Sequence, residues 1–281
     1  LIQVVGAVSG SLLQGMIIVS AASAALIAAV AGIYAMRFGA PAVLGMMLLM
    51  PYLSVINVGR SLSPDAPATL FFLLFASAVG RRPFVACILG GVMVSIRPDY
   101  IVFAIILVAL AFLFKRIQLR NAVLSVLLAV LALTYSKLGF EGYSHLKLFH
   151  YTLITLDMFP ATMTVSTEIG DYVGAYVGGV YGIVFGEYML LYVLIVTAIF
   201  CFRAVLKDRE ELLLGLAAMV MIAAHFVLLP AGLDRFYVAP HILIALALLA
   251  LATDYRRGSS TMSSDLQRNR QSTSFGDNER F

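Results

Sequence analysis

The sequence has little charge. Asp, Glu, Lys and Arg make up 12% of its 281 residues and hydrophobic residues make up 62%, whereas a soluble domain is about a quarter charged and about half apolar. This composition excludes an ordinary water-soluble domain and predicts a polytopic membrane protein. Each ionisable residue at depth then becomes a candidate for function, because an insertion scale assigns it a cost of about 2.5 to 3.5 kcal/mol.

Cysteine is also scarce, and signals for N-linked glycosylation are absent. Cys87 and Cys201 lie inside apolar runs without the spacing of metal ligands, so we interpret them as small buried apolar residues. No Asn-x-Ser/Thr site occurs, which agrees with a bacterial inner membrane. The formal net charge is +4, but the basic residues follow the ends of apolar runs, as membrane orientation requires. We therefore do not expect nucleic acid as a partner.

Apolar runs predict an all-α bundle of about nine transmembrane or half-membrane helices. A full span needs about 20 residues, so the runs 83–96 and 99–114 are short and could instead form one kinked helix. Counting them as separate passes places the basic groups at the ends of the runs, such as Arg81 with Arg82 and Lys115 with Arg116, on one side of the membrane. We therefore predict a multi-pass protein of the inner (plasma) membrane that starts outside and has a cytoplasmic C-terminus. The runs are 12–36, 41–57, 66–80, 83–96, 99–114, 121–138, 183–204, 210–229 and 237–253.

Two segments differ from the apolar runs in composition. Within a transmembrane domain at 1–253, residues 139–182 form a long outer loop, and loops of this length are usually functional. Its segment "EIGDYVGAYVGGVYG" has no phosphate-loop ending, so we interpret its glycines as helix packing or a flexible lid. Residues 254–281 are rich in Ser and Arg and predict a disordered cytoplasmic tail.

Charged residues from separate runs fall at one predicted depth, near the outer surface. Asp65 lies in "SLSPDAP", Arg97 and Asp99 lie in "SIRPDY", and Arg235 lies in "LLPAGLDRFYVAP". Asp65 could simply begin a helix, where a carboxylate is favoured, and Arg97 could form a structural pair with Asp99 or Asp65. The functional interpretation is that several helices present carboxylates and guanidiniums to one outer cavity.

Two stretches resemble a known family. "SPDAPATLFFLLFASAVGRRPFVACILGGVMVSIRPDYIVFAIILVALAF" and "RFYVAPHILIALALLALA" are similar, in order and spacing, to the membrane glycosyltransferases of the C-type fold. That group contains the protein O-mannosyltransferases and the lipid A aminoarabinose transferases, and the similarity extends over residues 1–253. It implies a polyprenyl-phosphate sugar as donor, a lipid, glycan or protein as acceptor, and transfer of the sugar at the outer face.

The resemblance also implies roles for individual residues. It assigns Asp65 as a catalytic acid or a partner of a divalent metal, Arg97 as the contact to the lipid phosphate, and Arg235 as a second phosphate or acceptor contact. Further predicted substrate-binding residues are Asp99, His150 and Tyr237. The family's main catalytic acid lies in its first outer loop, and this sequence begins near the family's second span. We therefore expect that acid to precede Leu1, and the chain without it to be inactive.

The other histidines, His145, His225 and His241, lack the H-x-x-x-H spacing of a zinc site, and we interpret them as structural. Two other functions stay open. A secondary transporter or flippase would use the same charges for a solute or a proton, although transporters place them near the bilayer centre. A non-catalytic scaffold of packed spans would leave the outer acids unexplained.

Overall fold

A computed structural model describes residues 10–50, 55–60, 64–139, 168–181, 213–230 and 237–253, together with Lys147, Phe149 and Leu153. Its elements are helices, and no strand occurs in these ranges, so the all-α prediction is confirmed for them. In chain order the helices are α1 (Leu12–Met36), α2 (Ala40–Leu49), α3 (Val55–Arg60), α4 (Asp65–Ala78), α5 (Pro83–Ile96), α6 (Tyr100–Leu113), α7 (Leu119–Gly139), α8 (Ile169–Tyr181), α9 (Leu213–Leu228) and α10 (Val238–Thr253).

One predicted run has a different form. The sequence predicts a single pass over 41–57, whereas the structure has two helices, α2 and α3. Pro51 follows α2 closely, and a proline inside a helix removes an N–H donor and clashes with a carbonyl of the preceding turn. The run 183–204 and the tail 254–281 lie outside the described residues.

The two short runs form two separate helices, as predicted. The segment Arg97-Pro98-Asp99 joins α5 to α6. A residue before proline is driven from the helical region towards extended conformations, and Arg97 has φ −143° and ψ 100°. The proline therefore ends α5 and makes the corner that carries Arg97 and Asp99.

Helix α4 lies at the centre of the bundle. It packs between α1 and α5, while α5 packs on α7, and α6 contacts both α7 and α9. Nearly every residue of α4 is buried, from Asp65 to Ala78. A polar side chain at the start of α4 is therefore surrounded by protein.

Helices α1 and α7 carry small side chains inward and bulky apolar side chains outward. On α7 the buried residues are Ala122, Ser125 and Ala129. Its exposed aliphatic residues are Leu119, Val123, Leu124, Leu127, Val130 and Leu131, and Arg120, Thr134 and Tyr135 are exposed as well. On α1 the buried residues are mostly Gly, Ala and Ser, and the exposed large residues are Leu12, Leu13, Ile17, Ile18, Leu26, Ile33 and Met36. Small residues at helix interfaces are typical of membrane proteins, because they allow close approach of the backbones.

Helix length separates α1 from the others. Among the described helices, α1 alone is both long and apolar enough to cross a bilayer, with 25 residues and a mean hydropathy of 2.4. Most of the remaining apolar helices have 10 to 17 residues. The nine membrane passes therefore stay a prediction.

Helix α8, in the predicted outer loop, packs against the end of α9 through one glycine. A Cβ atom on Gly179 would overlap the Pro230 carbonyl oxygen, whereas a Cβ atom on Gly178 would meet nothing within 4 Å. The Tyr176 hydroxyl also donates a hydrogen bond to the Val227 carbonyl. Of the two interpretations of this glycine-rich segment, the structure therefore favours helix packing.

This contact gives a matched pair of variants. We expect Gly179→Ala to lower the free energy of unfolding by about 1 to 3 kcal/mol, because the added methyl group overpacks a tight contact. Gly178→Ala should be neutral or stabilising, since alanine is the better helix former by up to about 1 kcal/mol. Thermal unfolding of the purified variants measures both, and equal melting temperatures would contradict the contact.

Candidate functional site

Charged residues from α4 and from the α5–α6 corner meet at one end of the bundle. Arg97 Nη1 donates a hydrogen bond to Asp65 Oδ1, and Arg97 Nε donates to both carboxylate oxygens of Asp99, at 2.9 and 3.1 Å. The side chains of Asp65 and Arg97 are 6% and 8% exposed, and that of Asp99 is 38% exposed. The structure thus brings together three predicted site residues, whose roles stay predictions.

Arg97 pairs with two carboxylates in this cluster. Both structural alternatives for Arg97 occur at once, because it pairs with Asp65 and with Asp99. A buried ion pair is weak support for stability, since desolvation offsets much of the attraction. The arrangement therefore suits a site that needs charge better than it suits a core built only for packing.

His225 brings helix α9 to the same cluster. Its Nε2 lies 3.6 Å from Asp99 Oδ2, an ion-pair distance rather than a hydrogen bond. The His225 side chain is 4% exposed, and its ring centroid lies 5.8 Å from that of Phe103 and 5.3 Å from that of Tyr237. The sequence interpretation of His225 as structural overlooked this position. Its place near the outer end of the 210–229 run, at the predicted depth of Asp99, was the available signal.

Tyr237, a predicted substrate-binding residue, stands edge-on against the His225 ring. Its hydroxyl is buried and has no hydrogen-bond partner among the described residues. Burial raises the pKa of Tyr237 to about 12, and the side chain remains a neutral phenol at physiological pH.

The Asp99 carboxylate stays ionised at neutral pH. Burial alone would raise the pKa of Asp99, but the Arg97 guanidinium, with a contribution from His225, holds it below its usual range. A charged carboxylate with a partly exposed side chain can accept a proton from a substrate or bind a cation. Asp99 is therefore the acid of this cluster that is best placed to meet a ligand.

An aromatic layer supports the cluster from below. Tyr100 and Phe103 of α6 and Phe72 of α4 are fully buried and pack against one another with centroids 5.0 to 6.1 Å apart. The Tyr100 hydroxyl and the Thr69 hydroxyl are 2.9 Å apart and share a hydrogen bond. This layer fixes the start of α6, and with it the corner that carries Arg97 and Asp99.

The hydrogen bond between Thr69 and Tyr100 can be tested by a double-mutant cycle. Tyr100→Phe leaves the Thr69 hydroxyl buried without this partner, so we expect a loss of about 1 to 3 kcal/mol in unfolding free energy. Adding Thr69→Val removes both polar groups and should recover most of that loss. Denaturant titration of the four proteins gives the coupling, and strictly additive losses would contradict it.

Two predicted site residues, Arg235 and His150, lie outside the described residues. Within the described ranges, no group of three or more His, Cys, Asp or Glu side chains is arranged to hold a metal ion. The predicted metal partner Asp65 is paired with Arg97.

No family model, curated protein or solved structure matches this chain.

A cavity lies beside the same end of α9. It has a volume of about 460 Å³, and Pro230, just beyond the end of α9, forms part of its wall. The rest of the wall consists of Leu153, Gly170, Asp171, Gly174, Ala175, Gly178 and Gly179. Its volume is within the range of small-molecule sites, about 300 to 1,000 Å³. His225 and this cavity are thus separated by about the last turn of α9.

Proposed function

We propose that this protein is an integral-membrane glycosyltransferase that moves a sugar from a polyprenyl-phosphate donor to an acceptor at the outer face of the membrane. The acceptor is a lipid, a glycan or a protein. The observation that carries the proposal is the convergence of Asp65, Arg97, Asp99, His225 and Tyr237 at one end of an apolar helical bundle.

The outward face of the bundle supports the membrane part of the proposal. The exposed side chains of α1 and α7 are bulky and apolar, while small residues fill the interface. A surface of this kind is stable in lipid and would promote aggregation in water. Several bilayer passes accommodate these helices better than a soluble bundle does.

The distribution of charge supports the orientation. Asp65 begins α4 and Arg97 follows α5, so the two helices are antiparallel and their opposite ends also meet. At those opposite ends lie the exposed residues Arg81 and Arg82, and Lys115 follows α6. By the positive-inside rule the basic end is cytoplasmic, which puts the Asp65–Arg97–Asp99 cluster at the outer end.

The chemistry of a lipid-linked donor matches this location. The polyprenyl tail stays in the bilayer, while the phosphate and the sugar lie at the outer surface. The acceptor oxygen bonds to the anomeric carbon, the bond from that carbon to the phosphate oxygen breaks, and the phosphate leaves with the bonding electrons. Arg97 stabilises the leaving phosphate through charge-assisted hydrogen bonds as it exchanges a carboxylate partner for phosphate oxygens.

A secondary transporter or flippase is the second candidate. The Asp65 and Asp99 carboxylates at the end of the bundle could serve a cation or a proton as its ligands. Transporters, however, place such groups near the middle of the bilayer on interrupted helices. Here the charges lie at helix ends, which favours the transferase.

The test is transfer from radiolabelled polyprenyl-phosphate sugars by the full-length protein in proteoliposomes. We expect transfer by the wild type and its loss in Asp65→Asn and in Arg97→Ala. Ser77→Ala is a matched control on α4, because Ser77 hydrogen-bonds the Leu74 carbonyl near the other end of that helix. Transfer that survives both site substitutions would refute the site. Solute uptake by vesicles, together with no transfer from any donor, would favour the transporter.

A further inference from the structure

Asp65 and Asp99 differ in their access to a substrate. Asp65 is buried at the start of α4 and held by Arg97, with 6% of its side chain exposed. Asp99 has 38% of its side chain exposed and lies at the corner between two helices. A base must approach the proton that it removes within hydrogen-bond distance, so Asp99 is the better placed of the two.

His225 faces Asp99 from a different helix. Its Nε2 is 3.6 Å from Asp99 Oδ2, and its ring packs against Phe103 and Tyr237. A nearly fully buried side chain with neighbours of this size has little freedom to turn. Hydrogen bonds within catalytic groups are commonly long before the substrate binds and shorten in the reacting complex.

We propose that His225 is a positioning residue, which holds the Asp99 carboxylate so that Asp99 takes the proton of the acceptor hydroxyl. This rests on the proposed function, and it gives Asp99 the proton transfer that the resemblance assigns to the acid of the first outer loop. As the acceptor oxygen bonds to the anomeric carbon, its proton passes to Asp99, and the bond to the phosphate breaks with its electrons going to the phosphate. Asp99 then releases the proton to water.

The charged and titratable groups around Asp99 come from several elements. Arg97 shares its corner, Tyr100 begins the next helix, Asp65 lies beyond Arg97, and His225 faces it from α9 with Tyr237 behind. Arg97 and His225 both favour the ionised form of Asp99, which keeps its pKa low against the effect of burial. Loss of the His225 nitrogen should therefore let Asp99 take up a proton at a higher pH.

Variants of His225 distinguish a positioning role from a purely structural role. His225→Gln keeps an N–H donor and loses the ring, whereas His225→Phe keeps a ring between Phe103 and Tyr237 and loses the nitrogen. His225→Leu is a second nitrogen-free variant of smaller size. If His225 positions Asp99, Gln is the functional replacement; if it only fills space, Phe is.

The first measurement is independent of transfer. Dicyclohexylcarbodiimide modifies protonated carboxyl groups in apolar surroundings, and mass spectrometry of the Asp99 peptide gives the rate of labelling at each pH. We expect His225→Phe and His225→Leu to label several-fold faster than the wild type near neutral pH, and His225→Gln to label at close to the wild-type rate. Equal rates in all four proteins would overturn the proposal.

The second measurement is transfer. A hydrogen bond to a charged group contributes about tenfold to a hundredfold, so kcat should fall by about that factor in the two nitrogen-free variants, with KM for the donor little changed. His225→Gln should restore most of the rate. Normal transfer by His225→Phe with loss in His225→Gln would overturn the proposal. If the labelling rates were as expected but the wild type transferred no sugar, the transferase proposal would be refuted. The pairing of His225 with Asp99 would still stand.

Discussion

Arg97→Met should lower the free energy of unfolding by about 3 to 5 kcal/mol, which is a large part of the stability of an ordinary domain. The reason is electrostatic, because the substitution removes the guanidinium that Asp65 contacts inside the bundle. Asp65 is then left at low dielectric without that counter-charge. Denaturant titration or thermal unfolding in detergent measures the loss, and we expect little folded protein at physiological temperature.

A double variant separates charge from packing. Asp65→Leu combined with Arg97→Met replaces the ion pair by apolar side chains of comparable size, an exchange that is often neutral or stabilising in proteins. We expect its unfolding free energy to return close to that of the wild type, while transfer remains absent. If the double variant were no more stable than Arg97→Met, the pairing of Asp65 with Arg97 would not be the source of the loss.

Unlike Arg97→Met, Asp99→Asn should have a large effect on transfer and a small effect on the free energy of unfolding. A positioned general base contributes about a hundredfold to ten-thousandfold to a rate, and an amide cannot take the proton. The asparagine oxygen can still accept a hydrogen bond from Arg97 Nε, and the site is partly exposed. We therefore expect a change of no more than about 1 kcal/mol in unfolding free energy.

Asp65→Asn is the control for that comparison. Its carboxylate is buried against Arg97, so loss of its charge should reduce stability more than Asp99→Asn does. Both variants are measured for transfer and for thermal unfolding under the same conditions. If Asp65→Asn lost more transfer than Asp99→Asn for the same loss of unfolding free energy, the roles of the two acids would be reversed. Asp65 would then be the catalytic acid.

The α5–α6 corner and its charges were predictable from the sequence, because physical rules act there directly. Pro98 restricts Arg97 and ends α5. The positive-inside rule predicts two short passes, with Asp65 at the depth of Arg97, and in the structure these two side chains are in contact. Depth along a helix can be read from the ends of an apolar run, so groups near those ends can be placed in one layer of the bundle.

The rotation of a helix about its axis could not be predicted in the same way. The 210–229 run is apolar on all sides, so the sequence does not show that His225 faces Asp99 rather than lipid. Neighbours across the bundle decide this, here the packing of α9 on α6. The same limit applies to Tyr237, whose place against the His225 ring depends on contacts between distant helices.

The division of side chains on α7 has a practical consequence for engineering. Leu124, Leu127 and Leu131 point away from the bundle, while Ala122 and Ala129 make its interior contacts. Charged replacements on that outer face, with Glu and Lys interspersed, would leave every interior contact of the helix intact. With the same replacements on the outer face of α1, the protein would need no detergent in solution. Such a variant would allow spectroscopy of the Asp65–Arg97–Asp99 cluster.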